Sequence, residues 1–409
     1  MREMIEVGND DSLEESGWKK IIRQAYVFTN VHEQSESCLV DIQRGYLNPK
    51  FDFAALRLVF DDKRELASYC AERVKLAEFV YNPLATGTFS VNSSGGEQLN
   101  LYQPPKWKHA SYFTNAQLPQ SPSAAPVLID RYLNHLCNGD LPSKEYILDW
   151  LCTALKGRNY TILTAIGKPG IGKGRLGDIM GKLVGDSNFT KVRDSVFKAK
   201  FNAPLKNKQI VYVDEVAIKN TEEANRIKDV VNQFMEIERK GVDAEHVENH
   251  ASFYLTSNQM DAVKIDAGDR RFSIIQLTDA SLLTQFSPAQ IEELSSDSVI
   301  AELALFLLAR KPAHNMFFPF RSQRFDEVKE AGLSEWELWL IEEFFANQAI
   351  GTVTTLEQIK VRLRENFPYF KQPPGRLKIQ DLVEKYPKIL LFGKKAGIRS
   401  VEVVGKAEK

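Results

Sequence analysis

Three short runs in the middle of the chain, YTILTAI from Tyr160, IVYVDEV from Ile210 and SFYLTSN from Ser252, are apolar almost without interruption and then end in glycine or polar residues. A strand with one wet face alternates apolar and polar positions, so runs like these predict strands covered on both sides, as in a parallel sheet. Between the first two, RLGDIMGKLVG spaces its apolar residues for a helix. Strand alternating with helix predicts an α/β core over residues 159–320, with a central parallel sheet whose strand ends share one crevice. Ahead of it, VLIDRYLNHLC and SKEYILDWLCTAL predict a helical module over 127–158, with Ser143 placed to cap the second helix. Residues 1–126 mix the strand-like runs YVFTNV, ALRLVF and EFVYNP with the helical stretch DDKRELASYCAERVKLAEF, an α+β pattern. They close on AQLPQSPSAAP, residues 116–126, whose three prolines exclude a helix or a central strand. From 321 to 409, SEWELWLIEEFFAN, TLEQIKVRLRENF and IQDLVEKY predict three helices. KILLF, the turn GKKAG and IRSVEVV then predict a hairpin, together a winged-helix-like module.

Composition narrows the reading. The chain has 409 residues, 53 Lys and Arg against 54 Asp and Glu, so affinity for nucleic acid has to come from local patches and not from a global field. Cys38, Cys70, Cys137 and Cys152 are widely spaced, which argues against a zinc ribbon or a secreted disulfide framework and fits a reducing compartment. No signal-like start and no run near the roughly 20 apolar residues of a membrane span is present, so a soluble cytoplasmic protein without a membrane partner is expected.

The chemistry concentrates at the ends of the apolar runs. In GKPGIGKG, Gly167, Gly170 and Gly172 can take the backbone angles that turn N–H groups toward a phosphate, Lys168, Pro169 and Ile171 complete the loop, and Lys173 reaches the outer phosphate oxygens. Gly174 and Arg175 follow, and Gly174 stands where such loops carry a serine or threonine for the metal. Alone, this loop reads equally as a tight turn between strand and helix. Asp214 and Glu215, delivered at the end of the second run, strengthen the chemical reading: an aspartate there holds Mg²⁺ and the next carboxylate polarises water. Asn258 ends the third run, where an amide can orient that water. In GDRRFSIIQL, Arg270 and Arg271 suit an arginine finger supplied to a neighbouring subunit, or else a surface ion pair. His246 and His250 are spaced for zinc on a helix, but the strand-like context denies them that geometry.

In this order and at this spacing, GKPGIGKG, IVYVDEV, EIERKGVDAEHVENH, SFYLTSN and GDRRF resemble the superfamily 3 helicases. More narrowly, the chain is similar to the helicase module of primase-helicases from phages, plasmids and mobile elements, most clearly over 140–280. The resemblance implies an AAA+ P-loop ATPase core using ATP and Mg²⁺, with the metal held by Asp214 and, partly through water, Glu215. It also implies a homo-hexamer on single-stranded or forked DNA, working beside separate primase or replication proteins. A hairpin in MEIERKGVDAEHV, turning at Lys240 and Gly241, would then place Arg239 and Lys240 against a DNA phosphate. Lys371, Arg376, Lys378, Lys394, Lys395 and Arg399 would give the last module a basic face. No paired-aspartate or zinc-cysteine set is legible in residues 1–140, so primase activity is not expected from this chain. An ATP-driven ring-forming replicative helicase is the expected function. An ATP-dependent origin-binding initiator or loader is the alternative, and a small-molecule phosphotransferase a third reading.

Overall fold

The computed structural model describes residue 19 and residues 22–405, apart from 33–35, 42–45, 49–50, 53–55, 86, 109–123, 200, 219–222, 224–226, 228, 230, 241, 264–269, 371 and 396. Most of the proline-rich segment at 116–126, with Gly241 and Lys371, lies outside the described residues.

In the N-terminal region β1 (Tyr26–Asn30), β2 (Ser37–Asp41), β3 (Tyr46–Asn48), β4 (Val74–Val80), β5 (Phe89–Val91) and β6 (Glu97–Asn100) form a mixed sheet in the order β3-β2-β1-β4-β6-β5. Helix α1 (Lys63–Arg73) is capped by Asp62, which accepts from the Arg64 N–H at 2.8 Å. The helical pattern predicted to run on to Phe79 stops at Arg73 instead. From Val74 the β-branched start of VKLAEFV pairs in parallel with β1, so tertiary pairing overrides local periodicity. Within ALRLVF, expected as a strand, Leu56–Val59 forms a single helical turn.

The centre follows the apolar runs. Helices α2 (Val127–Leu136) and α3 (Leu141–Lys156) precede β7 (Ile162–Ile166), α4 (Lys173–Val184), β8 (Phe189–Arg193) and β9 (Ile210–Asp214). A hairpin, β10 (Phe234–Arg239) and β11 (Val242–Glu248), comes next, then β12 (Ser252–Ser257), β13 (Phe272–Ile274) and α5 (Asp297–Ala309). The order β13-β7-β12-β9-β8 is parallel throughout. Alternate residues of each strand enter two different cores. Leu163, Ala165, Tyr212 and Tyr254 pack under α2 to α5, while Ile162, Ile166, Val211, Val213 and Leu255 pack on the other side. That two-sided cover is why these strands read as unbroken apolar runs.

Ser143 does not cap α3. The helix begins at Leu141, and the Asp140 carboxylate accepts from the Ser143 N–H at 3.0 Å. The buried Ser143 hydroxyl instead accepts from the Gln276 N–H at 2.9 Å, tying α3 to the segment after β13. The N-terminal region meets this core through Trp107, whose indole N–H donates to the Leu183 carbonyl at 2.7 Å, and Tyr81, whose hydroxyl donates to Asn188 at 3.0 Å.

Helix α6 (Gln323–Ala331) links to the last region, where α7 (Glu335–Trp339) runs on as a π-helical turn through Leu340–Phe345. There follow β14 (Val353–Thr355), α8 (Leu356–Asn366), α9 (Arg376–Lys385) and the hairpin of β15 (Leu390–Lys395) and β16 (Ile398–Val403). The three helices and the hairpin stand where the pattern puts them. The short β14, which pairs with β16 to make a three-stranded sheet, is an addition to it. Among the described residues no helix is long and apolar enough to cross a membrane.

Candidate functional site

Parallel strands end on one side of their sheet, and here the loop after β7 and the last residues of β9 and β12 meet at a cleft of about 420 Å³. The glycine loop forms one wall. Gly170 and Gly172 sit at φ of 79° and 116°, left-handed values that L side chains rarely adopt, and these let the chain turn from β7 into α4 within six residues. Pro169, Gly170, Gly172, Lys173, Gly174 and Arg175 line the cleft. Gly167 and Lys168 serve through their carbonyls, and the side chain of Ile171 is a core anchor with no exposed surface. Two tyrosine hydroxyls hold the turn from below: Tyr132 donates to the Gly172 carbonyl at 2.9 Å and Tyr254 to the Lys173 carbonyl at 3.0 Å.

Lys173 is 7% exposed, and its ammonium donates to the Gly167 and Lys168 carbonyls, each at 2.6 Å, and to Asn258 Oδ1 at 3.0 Å. Burial lowers its pKa to about 8, and the nearby Asp214 charge offsets part of that drop. Asp214 stands across the cleft. Its Oδ1 accepts from Tyr212 at 2.9 Å and Thr256 at 2.8 Å, and its Oδ2 pairs with Lys191 Nζ at 2.9 Å. Burial alone would raise this carboxyl, but the hydrogen bonds from Lys191, Thr256 and Tyr212 outweigh it and hold the group below the ordinary carboxylate value. Glu215, exposed at the rim, has a φ of 56°, a strained value for a residue with a side chain.

The fold thus brings Lys173, Asp214, Glu215 and Asn258 to one place. Arg270 and Arg271 lie elsewhere. The Arg271 carbonyl accepts from the Ile162 N–H at 2.7 Å, at the amino end of β7, about 16 Å of strand away from the loop at ~3.3 Å per residue. Arg239 and Lys240 close the β10–β11 hairpin, whose Met235 and Ile237 pack on the face of the sheet opposite α4. Arg239 contacts Glu36 at 3.4 Å and Glu245 at 3.7 Å, while Lys240 is exposed. Sequence reasoning missed Tyr212, Thr256 and Lys191. The first two follow from strand period, since Tyr212 shares a face with Asp214 two residues on. Lys191 becomes visible only once β8 is known to lie beside β9.

The donor set suits a nucleotide with a hard divalent cation: an ammonium and glycine-turned backbone for phosphate, and carboxylate oxygens for the metal. The two lysines mark the places by charge, Lys173 where phosphate would sit and Lys191 against the carboxylate where a cation would.

Residues 165–271 match a family described only as a family of unknown function, DUF5906. The chain is 29% identical over 158 residues, 37% of its length, to the DNA primase-polymerase of Nitratiruptor phage NrS-1, and the match spans 22% of that protein. Its fold is similar to solved structures of the NrS-1 C-terminal region. An apo structure in the A form gives a TM-score of 0.67 at 18% identity over 93% of this chain and 96% of that one. Another, of residues 305–718, gives 0.66 at 18% identity over 94% and 97%. These findings overturn the expectation of a ring-forming, ATP-driven helicase, and of the origin-binding loader beside it: the matching relative is a phage primase-polymerase, and no superfamily 3 helicase module emerges. The physical reason is that a strand, a glycine loop and an acidic strand end make a nucleotide-handling frame without fixing the work it performs. What holds is a mixed α/β protein with a central parallel sheet, similar in fold to the C-terminal region of a phage DNA-replication protein.

Proposed function

We propose that this chain is the nucleoside-triphosphate-binding region of a primase-polymerase-type phage replication protein, with ATP or a related triphosphate and Mg²⁺ held in the cleft at the ends of β7, β9 and β12. The observation that carries this reading is the buried Lys173 ammonium, held among the Gly167 and Lys168 carbonyls and Asn258 at the floor of a left-handed glycine loop. An ammonium desolvated this far gains most from a ligand that is itself multiply negative. In this reading Gly170, Gly172 and Gly174 present backbone to the phosphates, Lys173 turns from the carbonyls to the outer phosphate, and Arg175 flanks it. Asp214 would hold the metal, with Glu215 reaching it through water. A bound Mg²⁺ would supply charge neutralisation across the phosphates. Asn258 and Glu215 would then face the phosphates from the β12 and β9 sides of the cleft.

DNA is the partner that a primase-polymerase relative implies, and Lys240, exposed at the hairpin tip, would meet a backbone phosphate. Arg239 supports the tip through its pairs with Glu36 and Glu245. Titration of the chain with a fluorescent ATP analogue, with and without Mg²⁺, tests the reading. Saturable binding that Lys173→Ala removes is expected, and Glu215→Gln should keep it. A chain that binds no triphosphate, or a Lys173→Ala variant that binds normally, overturns it.

A further inference from the structure

The loop lacks the hydroxyl that usually follows its lysine, yet the space beside that position is not empty. A Cβ built on Gly174 would meet a single neighbour within 4 Å, the Tyr212 hydroxyl at 3.9 Å. One helical turn on, a Cβ on Gly177 would lie 2.5 Å from Tyr212 Cδ1 and 2.6 Å from Cε1, so α4 can rest on this ring only because residue 177 is glycine. The tyrosine is 1% exposed, and its ring sits 5.1 Å from that of Tyr254. Its hydroxyl donates to Asp214 Oδ1 at 2.9 Å and lies 3.3 Å from Thr256 Oγ1. With both hydroxyls on Oδ1, the other oxygen, Oδ2, is the one that carries Lys191.

We propose that Tyr212 is a positioning residue for the metal of this site: its hydroxyl enters from the strand side, takes the place of the absent loop hydroxyl, and fixes Asp214 so that Oδ2 is presented to the cation. The proposal rests on the triphosphate reading of the cleft. A phenol that donates to Asp214 keeps lone pairs with which it could accept from water around the cation, so it would act one shell out from the direct ligand that a serine at residue 174 would supply. Gly174 and Gly177 are then two parts of one arrangement, the first leaving room for the hydroxyl and the second for the ring.

The test is a Mg²⁺ titration of fluorescent-ATP binding by the full chain, alongside thermal unfolding, for the unaltered protein, Tyr212→Phe, Gly174→Ser and the double variant. Tyr212→Phe removes one oxygen and keeps the ring on Gly177. It should bind metal-free nucleotide within about twofold of normal and require about tenfold more Mg²⁺ for half-saturation, the scale of one hydrogen bond to a charged group. In the double variant the loop regains a hydroxyl at position 174, and the Mg²⁺ requirement should return to within about threefold of normal. An unmoved Mg²⁺ requirement in Tyr212→Phe overturns the proposal. So does a loss of metal-free binding by the same factor, or a double variant that recovers nothing, since either marks Tyr212 as packing alone. If the unaltered chain binds no nucleotide, both this role and the triphosphate reading fall. If it binds and only the tyrosine result fails, the triphosphate reading stands.

Discussion

The cleft at the strand ends and the tip of the β10–β11 hairpin were both marked by a basic residue beside glycine, yet the fold treats them in opposite ways. At the cleft, Lys173 is buried, and the loop carbonyls, β9 and the end of β12 converge on it, with Asn258 at 3.0 Å and Asp214 near enough to influence its charge. At the hairpin, the two adjacent cations part company: Arg239 is drawn into pairs with Glu36 and Glu245, and Lys240 stays in water. A charge that the fold desolvates must be answered by a ligand or a fixed partner, whereas a charge at a solvated turn costs nothing to leave alone. The first kind of site is therefore specified by the fold, and the second only by whatever meets it.

The largest effect should come from removing the buried charge. Lys173→Ala is expected to weaken triphosphate binding by roughly 100-fold, the loss of charge-assisted hydrogen bonds to phosphate. Calorimetric titration would show it, and a change under threefold would erase the contrast between the two regions. The second effect is a pH dependence. With the Lys173 pKa lowered to about 8 by burial, the protonated form that phosphate needs is dominant at pH 7 and scarce at pH 9. Phosphate binding takes up that proton, so affinity should fall about tenfold from pH 7 to pH 9. Lys173→Arg, charged throughout, should flatten the profile, and a flat profile in the unaltered chain would count against the buried ammonium as the phosphate ligand.

Smaller effects belong to the hairpin. Arg239→Ala should leave triphosphate affinity unchanged and cost about 0.5–1 kcal/mol of stability, as partly exposed ion pairs do. Urea unfolding reads that figure, and a drop in nucleotide affinity would show the two regions to be coupled. Smallest is Lys240→Ala, for which unfolding should move by less than about 0.5 kcal/mol. The salt dependence of single-stranded DNA binding should lose about one unit of slope in this variant. An unchanged slope would leave the tip lysine as a solvated charge.

Much of the core was legible because each signal was local. Apolar runs named the buried strands, Gly170 and Gly172 named the turn that leads to Lys173, and Asp214 and Asn258 fell at run ends, which in a parallel sheet face the same crevice. Local signals failed where a distant partner decided. The helix ending at Arg73 is cut short by the pairing of Val74–Ala77 with β1, and Ser143 is turned from cap to buried anchor by Gln276. Function failed for a different reason: the loop and the acidic strand end are common to many nucleotide-handling proteins, and likeness to a phage primase-polymerase came from a match over 158 residues and from the fold.

By itself, then, the sequence determined the elements whose cause lies within a few residues: strand period, glycine backbone freedom, proline exclusion and the charge at each strand end. Tertiary structure decided the order β13-β7-β12-β9-β8, and with it the placing of Lys191 on Asp214, the separation of Arg270 and Arg271 from the loop, and the seating of Tyr212 against Gly174 and Gly177. Those contacts join residues far apart in the chain. Their free energies come from packing and desolvation, which exist only after the sheet has assembled and which no local pattern of residues encodes.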